Sequence, residues 1–158
     1  VSIFCLSFRN NTTHIFPIKK KKKKTIPHYD IGVGVIWHHD KILIAKRKKN
    51  QLLGGLWEFP GGKIKNNESI INCIKREAKE ELGIAIKVKD FIIKVNHQYS
   101  HFKITLHAYH CQYINGTIQC IEVDDWKWID PHSFDAYPFP KANHYIFPKI
   151  LNCGEDLC

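Results

Sequence analysis

The stretch from Gly61 to Ile84, GGKIKNNESIINCIKREAKEELGI, constrains this chain more than any other. It reads as a glycine turn, a short loop and one helix carrying a cluster of acids. The apolar residues Ile70, Ile71, Ile74, Ala78 and Leu82 recur at helical spacing and define one stripe. At about 100° per residue, Glu77, Glu80 and Glu81 fall on one arc beside that stripe. Residues three and four apart on a helix are neighbours, so these carboxylates crowd together. Like charges at that spacing destabilise a helix unless something positive sits among them. A hard divalent cation with oxygen ligands, Mg²⁺ or Mn²⁺, answers that need. So does a solvated face bridged by Arg76 and nearby lysines, which is the ordinary fate of a charge run.

The 158 residues fit one domain with a core of its own plus a tail. An apolar fraction of 44% with four tryptophans excludes a disordered chain. Six of the nine net positive charges come from Lys19–Lys24, so the body is only mildly basic. That balance suits a polyanionic small substrate and does not by itself argue for a DNA-binding surface. The six cysteines form no CxxC pair and no zinc spacing, so no disulfide framework is expected and a reducing, cytoplasmic setting is. Cys73, inside the acidic helix, is expected to be a buried or half-buried thiol. No run is apolar enough to span a membrane, and VSIFCLSF precedes its basic run, the wrong order for a secretory signal. The chain opens on Val and contains no Met, which fits a fragment or a non-Met start codon.

Residues 1–28 read as a basic tail or linker, 29–152 as the folded domain and 153–158 as a C-terminal tail. The lysine run reads as a solvated linker, or as an arm with non-specific phosphate (DNA) contacts. Ile31–Trp37 and Lys41–Arg47 read as strands joined by a His38-His39-Asp40 turn, with Gly32 and Gly34 marking a close approach to the backbone. Trp57–Pro60 is a short strand stopped by proline. Ile84–Val95 follows as a long strand or a bent strand pair, and His101–Tyr113 as a further strand. Asn115-Gly116 predicts a hairpin with Thr117–Ile121 as its return strand. Trp126–Ile129 is a further strand, Pro131–Ala136 a helical turn, and Ala142–Leu151 a closing helix interrupted at Pro148. Strands on both sides of one long helix, with another at the end, give a mixed α/β sandwich.

The spacing Gly62, Glu68, Arg76-Glu77-Ala78, Glu80-Glu81, Gly83-Ile84 resembles the Nudix box, G-x5-E-x7-R-E-U-x-E-E-x-G-U. Every fixed position is filled, with Ala78 where a bulkier aliphatic is usual. From about Pro27 to about Leu151 the chain is similar to the MutT branch of that family, which hydrolyses 8-oxo-dGTP. It is also similar to the C-terminal domain of the adenine glycosylase MutY. Trp57-Glu58-Phe59-Pro60-Gly61-Gly62-Lys63 matches both, and Phe139-Pro140-Lys141-Ala142-Asn143 matches the base-reading segment of MutT. Gln98–Phe102 resembles the MutY loop that touches the lesion base, the tail HIFPIKKKKKKTIPHYDIGV looks like the MutY interdomain linker, and Cys5 stands where that protein's last iron–sulfur ligand falls.

The resemblance implies a Nudix-type α/β/α sandwich with a mixed sheet, and an enzyme that hydrolyses a nucleoside diphosphate linked to another group. It implies that Gly62, Glu77, Glu80, Glu81 and Glu122 hold Mg²⁺ or Mn²⁺. Glu77 or Glu122 would take the proton from water, and Arg76 would hold Glu77. Arg47, Phe59, Asn143 and Glu68 form the substrate-side set. Within it Asn143 reads the base, Phe59 or Phe139 offers a flat apolar face, and Glu68 braces the Arg76–Glu77 pair from the loop. Two function classes follow. One is an enzyme, a monomeric 8-oxo-dGTP diphosphatase that sanitises the nucleotide pool for mutation avoidance, or a Nudix hydrolase of another nucleotide. The other is a binding module, the lesion-recognising end of a MutY-type glycosylase.

Overall fold

The computed structural model describes residues 25–152. The expected tails, with the Lys19–Lys24 arm and Cys5, lie outside the described residues, Thr25–His28 apart. The element order is β1 (His28–His38), β2 (Lys41–Lys46), β3 (Trp57–Glu58), β4 (Gly61–Lys63), α1 (Ile70–Leu82), β5 (Ala85–Gln98), β6 (Lys103–Asn115) and β7 (Asp125–Ile129). Two 3-10 turns, Phe134–Ala136 and Lys141–Tyr145, then lead into α2 (Phe147–Asn152). This is the mixed α/β sandwich that the strand and helix pattern implied.

β1 is the axis of the sheet. One edge runs parallel to β6, from His28↔Lys103 to Trp37↔Gln112. The other is shared by β2 at Trp37 and His38 and by β4 at Ile31–Val33, both antiparallel. β5 closes the far edge as the hairpin partner of β6, and register shifts near Ala85 and between Val88 and Ile93 bend it. The main path is β3-β2-β1-β6-β5, with β7 on β2. α1 covers one face over Ile36, Leu43, Cys111 and Val123. The 3-10 turns and α2 cover the other over Val33, Val35, Phe59, Leu106 and Ala108.

α1 begins where Ser69 accepts a hydrogen bond from the Asn72 N–H, and it ends at Gly83, whose φ of 71° suits a residue without a Cβ. Ile74, Ala78 and Leu82 are buried at fourfold spacing, and burying Ile74 and Leu82 contributes about 1.5–3 kcal/mol each. Ile71, expected in that stripe, is instead 43% exposed, and Cys73 takes the buried place. The cause lies in β1. A Cβ on Gly32 would lie 3.0 Å from Ile74 and 3.3 Å from the Cys73 Sγ, and one on Gly34 would lie 2.9 Å from Ile74. The helix therefore leans on the glycines through its Cys73–Ile74 side. This is the close approach expected from two glycines inside a strand.

Three local expectations change. Gly61–Lys63 is strand β4 where a turn was expected, because Gly61 lies so close to the Gly32 carbonyl that no Cβ fits. Thr117–Ile121 is irregular where a return strand was expected. Its N–H groups serve the end of α1: Gln119 donates to the Leu82 carbonyl, and Ile121 and Glu122 donate to the Glu81 carbonyl. Carbonyls at a helix end have no internal partner, and this segment supplies one. Finally, the break in the closing helix falls at Ile146, between the 3-10 turn and α2. Pro148 sits in the first turn of α2, where its missing N–H costs nothing. No helix among the described residues is long and apolar enough to cross a membrane. Cys73, Cys111 and Cys120 are free thiols.

Gly34→Val forces two branch methyls into Ile74 and Cys111, and we expect a loss of about 2 kcal/mol in denaturant unfolding. A variant as stable as the parent would show that α1 does not lean on β1 at that point.

Candidate active site

The acids on α1 are arranged by one guanidinium. Arg76 donates through Nε to Glu68 Oε1 (2.6 Å) and through Nη2 to Glu68 Oε2 (3.0 Å). Its Nη1 reaches Glu77 Oε1 at 2.7 Å and Glu80 Oε2 at 3.0 Å, and Nη2 also holds the Lys63 carbonyl at 3.1 Å. Glu68 in turn accepts from the Lys65 N–H at 2.9 Å, which fixes the loop before the helix. Flanked by Arg76, the Glu68 carboxyl is held down at about 2.

The same pairings sort the acids. Glu77, Glu81 and Glu122 line a cavity of about 280 Å³, together with Gly61, Gly62 and Lys63. Glu68 and Glu80 do not line it; both are turned to Arg76. The Glu77 carboxylate lies so tightly on Gly62 that a Cβ there would sit 2.3 Å from Oε1, so the glycine leaves the cradle in which this acid rests. Glu122 reaches the cavity because its own N–H binds the end of α1.

A further acid belongs to this group, and the sequence motif had not singled it out. Glu58 on β3 lines the cavity and accepts from Arg47 Nη1 through both oxygens, at 2.9 and 2.7 Å. Its signal was present in the alternation of the strand: Trp57 and Phe59 are buried in the core, so the residue between them points to the opposite face, that of α1. Arg47 itself lines the cavity and ties its Nε to the Leu52 carbonyl at 2.8 Å.

Crowding shows in the proton affinities. Burial raises Glu81 well above the ordinary carboxylate range, and Glu58 and Glu77 add to the rise against the Gly61 N–H. Burial also raises Glu77, against the pull of Arg76, and Glu80 and Glu122 push it further. Glu58 is raised by burial although Arg47 opposes it. For these three carboxyls burial is the main cause, and the two arginines offset it only in part.

These residues fit a hard divalent cation by their chemistry. The donors are carboxylate and carbonyl oxygens, and their mutual repulsion is what a cation relieves. Among the described residues no group of three His, Cys, Asp or Glu side chains is already gathered to hold a metal ion. The Arg76 pairings of Glu77 and Glu80 account for part of that spread.

The other end of the cavity is aromatic and apolar. Tyr29, Ile31, Val33, Tyr99, Phe102, Ile104, Leu106 and Pro140 line it, and Asn143, only 7% exposed, supplies an amide. Phe59 also lines this space, but its ring packs in the core against Phe134, Phe139 and Phe147. Phe139 is buried within that cluster. Tyr29, Tyr99 and Phe102 are lining residues that the motif did not assign.

Residues 32–149 match the model of the NUDIX domain. The chain belongs to the Nudix family. A CTP pyrophosphohydrolase of Escherichia coli K12 is 34% identical over 114 residues, which are 72% of this chain and 84% of that one. An 8-oxo-dGTP diphosphatase of Buchnera aphidicola subsp. Schizaphis graminum is 35% identical over 121 residues, 77% of this chain and 92% of the relative. Among solved structures, the solution structure of the E. coli ORF135 protein superposes with a TM-score of 0.73 at 29% identity, covering 84% of this chain and 95% of that one. A Nudix hydrolase with an acid-rich cavity lined also by a buried amide is thus established, and the resemblance to the MutT branch of the family is confirmed.

Because Arg76 depresses Glu68 to about 2, that carboxylate stabilises the fold above its ordinary value of 4.5. This contribution is lost as pH falls from about 4.5 toward about 2. Glu68→Gln should flatten that part of the stability–pH curve in urea unfolding between pH 6 and 3. A variant curve parallel to the parent's would show that Glu68 is not held by Arg76 in solution.

Proposed function

We propose that the protein is a divalent-metal-dependent nucleoside triphosphate pyrophosphohydrolase whose substrate is 8-oxo-dGTP, a nucleotide-pool enzyme of mutation avoidance. The observation that carries this reading is one cavity with two chemistries. Four carboxyls and Arg47 stand at one end, and Asn143 among aromatic side chains stands at the other. A purine triphosphate has the matching halves. The relatives named 8-oxo-dGTP diphosphatase support it.

In this reading the aromatic end takes the base, and the Asn143 amide, with donor and acceptor on one group, tests its hydrogen-bonding edge. Arg47, clamped by Glu58, faces the phosphates. Lys63, whose Nζ lies 3.7 Å over the Tyr29 ring, stands between base and acids. Glu77, Glu80, Glu81, Glu122 and the Gly62 carbonyl would hold Mg²⁺ or Mn²⁺. Such an ion supplies charge neutralisation for the phosphates and a lowered pKa for bound water. Arg76 orients Glu77 and opposes the burial that raises its pKa. Glu77 or Glu122 would accept the proton of the attacking water. One water is consumed, one P–O–P bond breaks, and nucleoside monophosphate and pyrophosphate leave.

A second substrate is favoured by a specific finding, the CTP pyrophosphohydrolase among the relatives. The lesion-binding alternative has no use for four acids gathered on one cavity. Pyrophosphate release with Mg²⁺ from 8-oxo-dGTP, dGTP and CTP separates the first two, and we expect the highest kcat/KM for 8-oxo-dGTP. A preference for CTP would transfer the assignment to the pyrimidine. No turnover together with tight binding to duplex DNA bearing 8-oxoguanine opposite adenine would restore the module.

Glu77→Gln and Glu81→Gln should each lower kcat by about 100-fold or more; the melting temperature should be unchanged or raised in Glu81→Gln, which removes a buried charge, and lowered in Glu77→Gln, which breaks the pair with Arg76. Wild-type rates in the Glu80→Gln/Glu81→Gln double variant would remove the acids from the mechanism.

A further inference from the structure

The turn between β5 and β6 carries aromatic side chains that the turn itself does not need. The Tyr99 N–H closes it on the Phe102 carbonyl at 2.8 Å. The Tyr99 ring then stacks on Phe102, with centroids 4.8 Å apart and planes at 26°, and Phe102 reaches Tyr29 of β1 at 6.5 Å. On its other side Tyr99 meets the edge of His97 at 4.5 Å, and His97 lies 6.3 Å from Tyr145. A continuous file of rings thus runs from β1 to the last residue of the 3-10 turn Lys141–Tyr145.

That turn holds Asn143, and it starts poorly. Pro140 stands at its N-cap position and makes no side-chain cap bond. The N–H groups at a helix start have no partner within the helix, and here Ala142 is fully buried. The Tyr99 hydroxyl oxygen fills the gap, accepting from the Ala142 N–H at 3.4 Å. The phenol therefore acts as a cap delivered from another strand, one residue before the amide that faces the cavity.

We propose that Tyr99 is a positioning residue for Asn143, its hydroxyl and its clamped ring setting where that amide meets the base. The inference rests on the reading of this cavity end as a nucleobase pocket. The bond is long, so its share of global stability is small. Its effect belongs in selectivity, because a site that reads a base by hydrogen bonds discriminates through their geometry. Tyr99 and Asn143 then act as one unit, and their substitutions are not additive.

The test compares kcat/KM for 8-oxo-dGTP and dGTP in the parent, Tyr99→Phe, Asn143→Ala and the double variant. Tyr99→Phe keeps the ring and removes only the oxygen. We expect it to lower the 8-oxo-dGTP:dGTP ratio by roughly three- to tenfold, mainly through KM for the oxidised substrate. Asn143→Ala should lower the ratio further, and the double variant should match Asn143→Ala alone. Equal losses for both substrates, or a double variant showing the product of the two single effects, would overturn the assignment. A parent that does not discriminate would defeat the base-pocket reading instead. In that case amide hydrogen exchange decides: faster exchange at Ala142 in Tyr99→Phe upholds the tie, and unchanged exchange refutes it.

Discussion

Arg76 is the contact on which the rest depends. It binds Glu68, Glu77, Glu80 and the Lys63 carbonyl at once, so a single side chain joins the loop before α1, the body of α1 and strand β4. Isolated surface ion pairs contribute little, because solvent screens them and two long side chains must be ordered. This network differs in geometry: Arg76 and Glu77 are mostly buried, and the guanidinium fork meets Glu68 through two nitrogens. Its importance is positional. Without the fork, the acids of α1 would rotate away from one another and the cavity would lose its charged wall.

The fold brings the remaining acids to the same place by backbone means. Gly32 and Gly34 let α1 lie directly on β1, which sets the height of Glu77 and Glu81 above the sheet. The carbonyls at the end of α1 then bind the 117–124 segment, and Glu122 arrives as a by-product of satisfying them. Strand alternation delivers Glu58 from β3. Four carboxyls thus come from three separate elements. Each placement has an ordinary structural cause: a close helix–sheet contact, a helix end that needs donors, and the two-residue period of a strand.

What could be read from the sequence follows the same division. α1 and its caps were legible because helical period, Ser69 and Gly83 all lie within one short stretch. The strands were legible from their apolar runs between turn residues. The return strand at Thr117–Ile121 misled because Asn115-Gly116 is a local hairpin signal, whereas the partner that wins, the end of α1, is more than thirty residues away. Ile71 misled because period alone cannot show that two glycines shift the contact to Cys73. At the site, the box pointed to Gly62, Glu77, Glu80 and Glu81 together, and of these Gly62, Glu77 and Glu81 line the cavity while Glu80 turns to Arg76. Glu58 and Tyr29 stayed hidden because their roles come from tertiary packing across strands that the sequence keeps far apart, whereas Tyr99 and Phe102 lie in the loop that the resemblance to MutY had pointed to.

The two ends of the cavity make opposite demands on the protein. The acidic end is a local liability: burial raises the proton affinities of Glu58, Glu77 and Glu81, and repulsion from neighbouring acids adds to it. The aromatic end is the reverse, a continuation of the core in which Ile104 and Leu106 pass without interruption into the lining. The parallel β1–β6 pair carries both, and its buried apolar run can bear the strain because stability is a property of the whole domain while the charge problem is confined to one wall. The same cavity is thus costly to charge at one end and well packed at the other. That asymmetry explains why the charged side chains need Arg76 to hold them, whereas Asn143 is held by packing and by backbone hydrogen bonds.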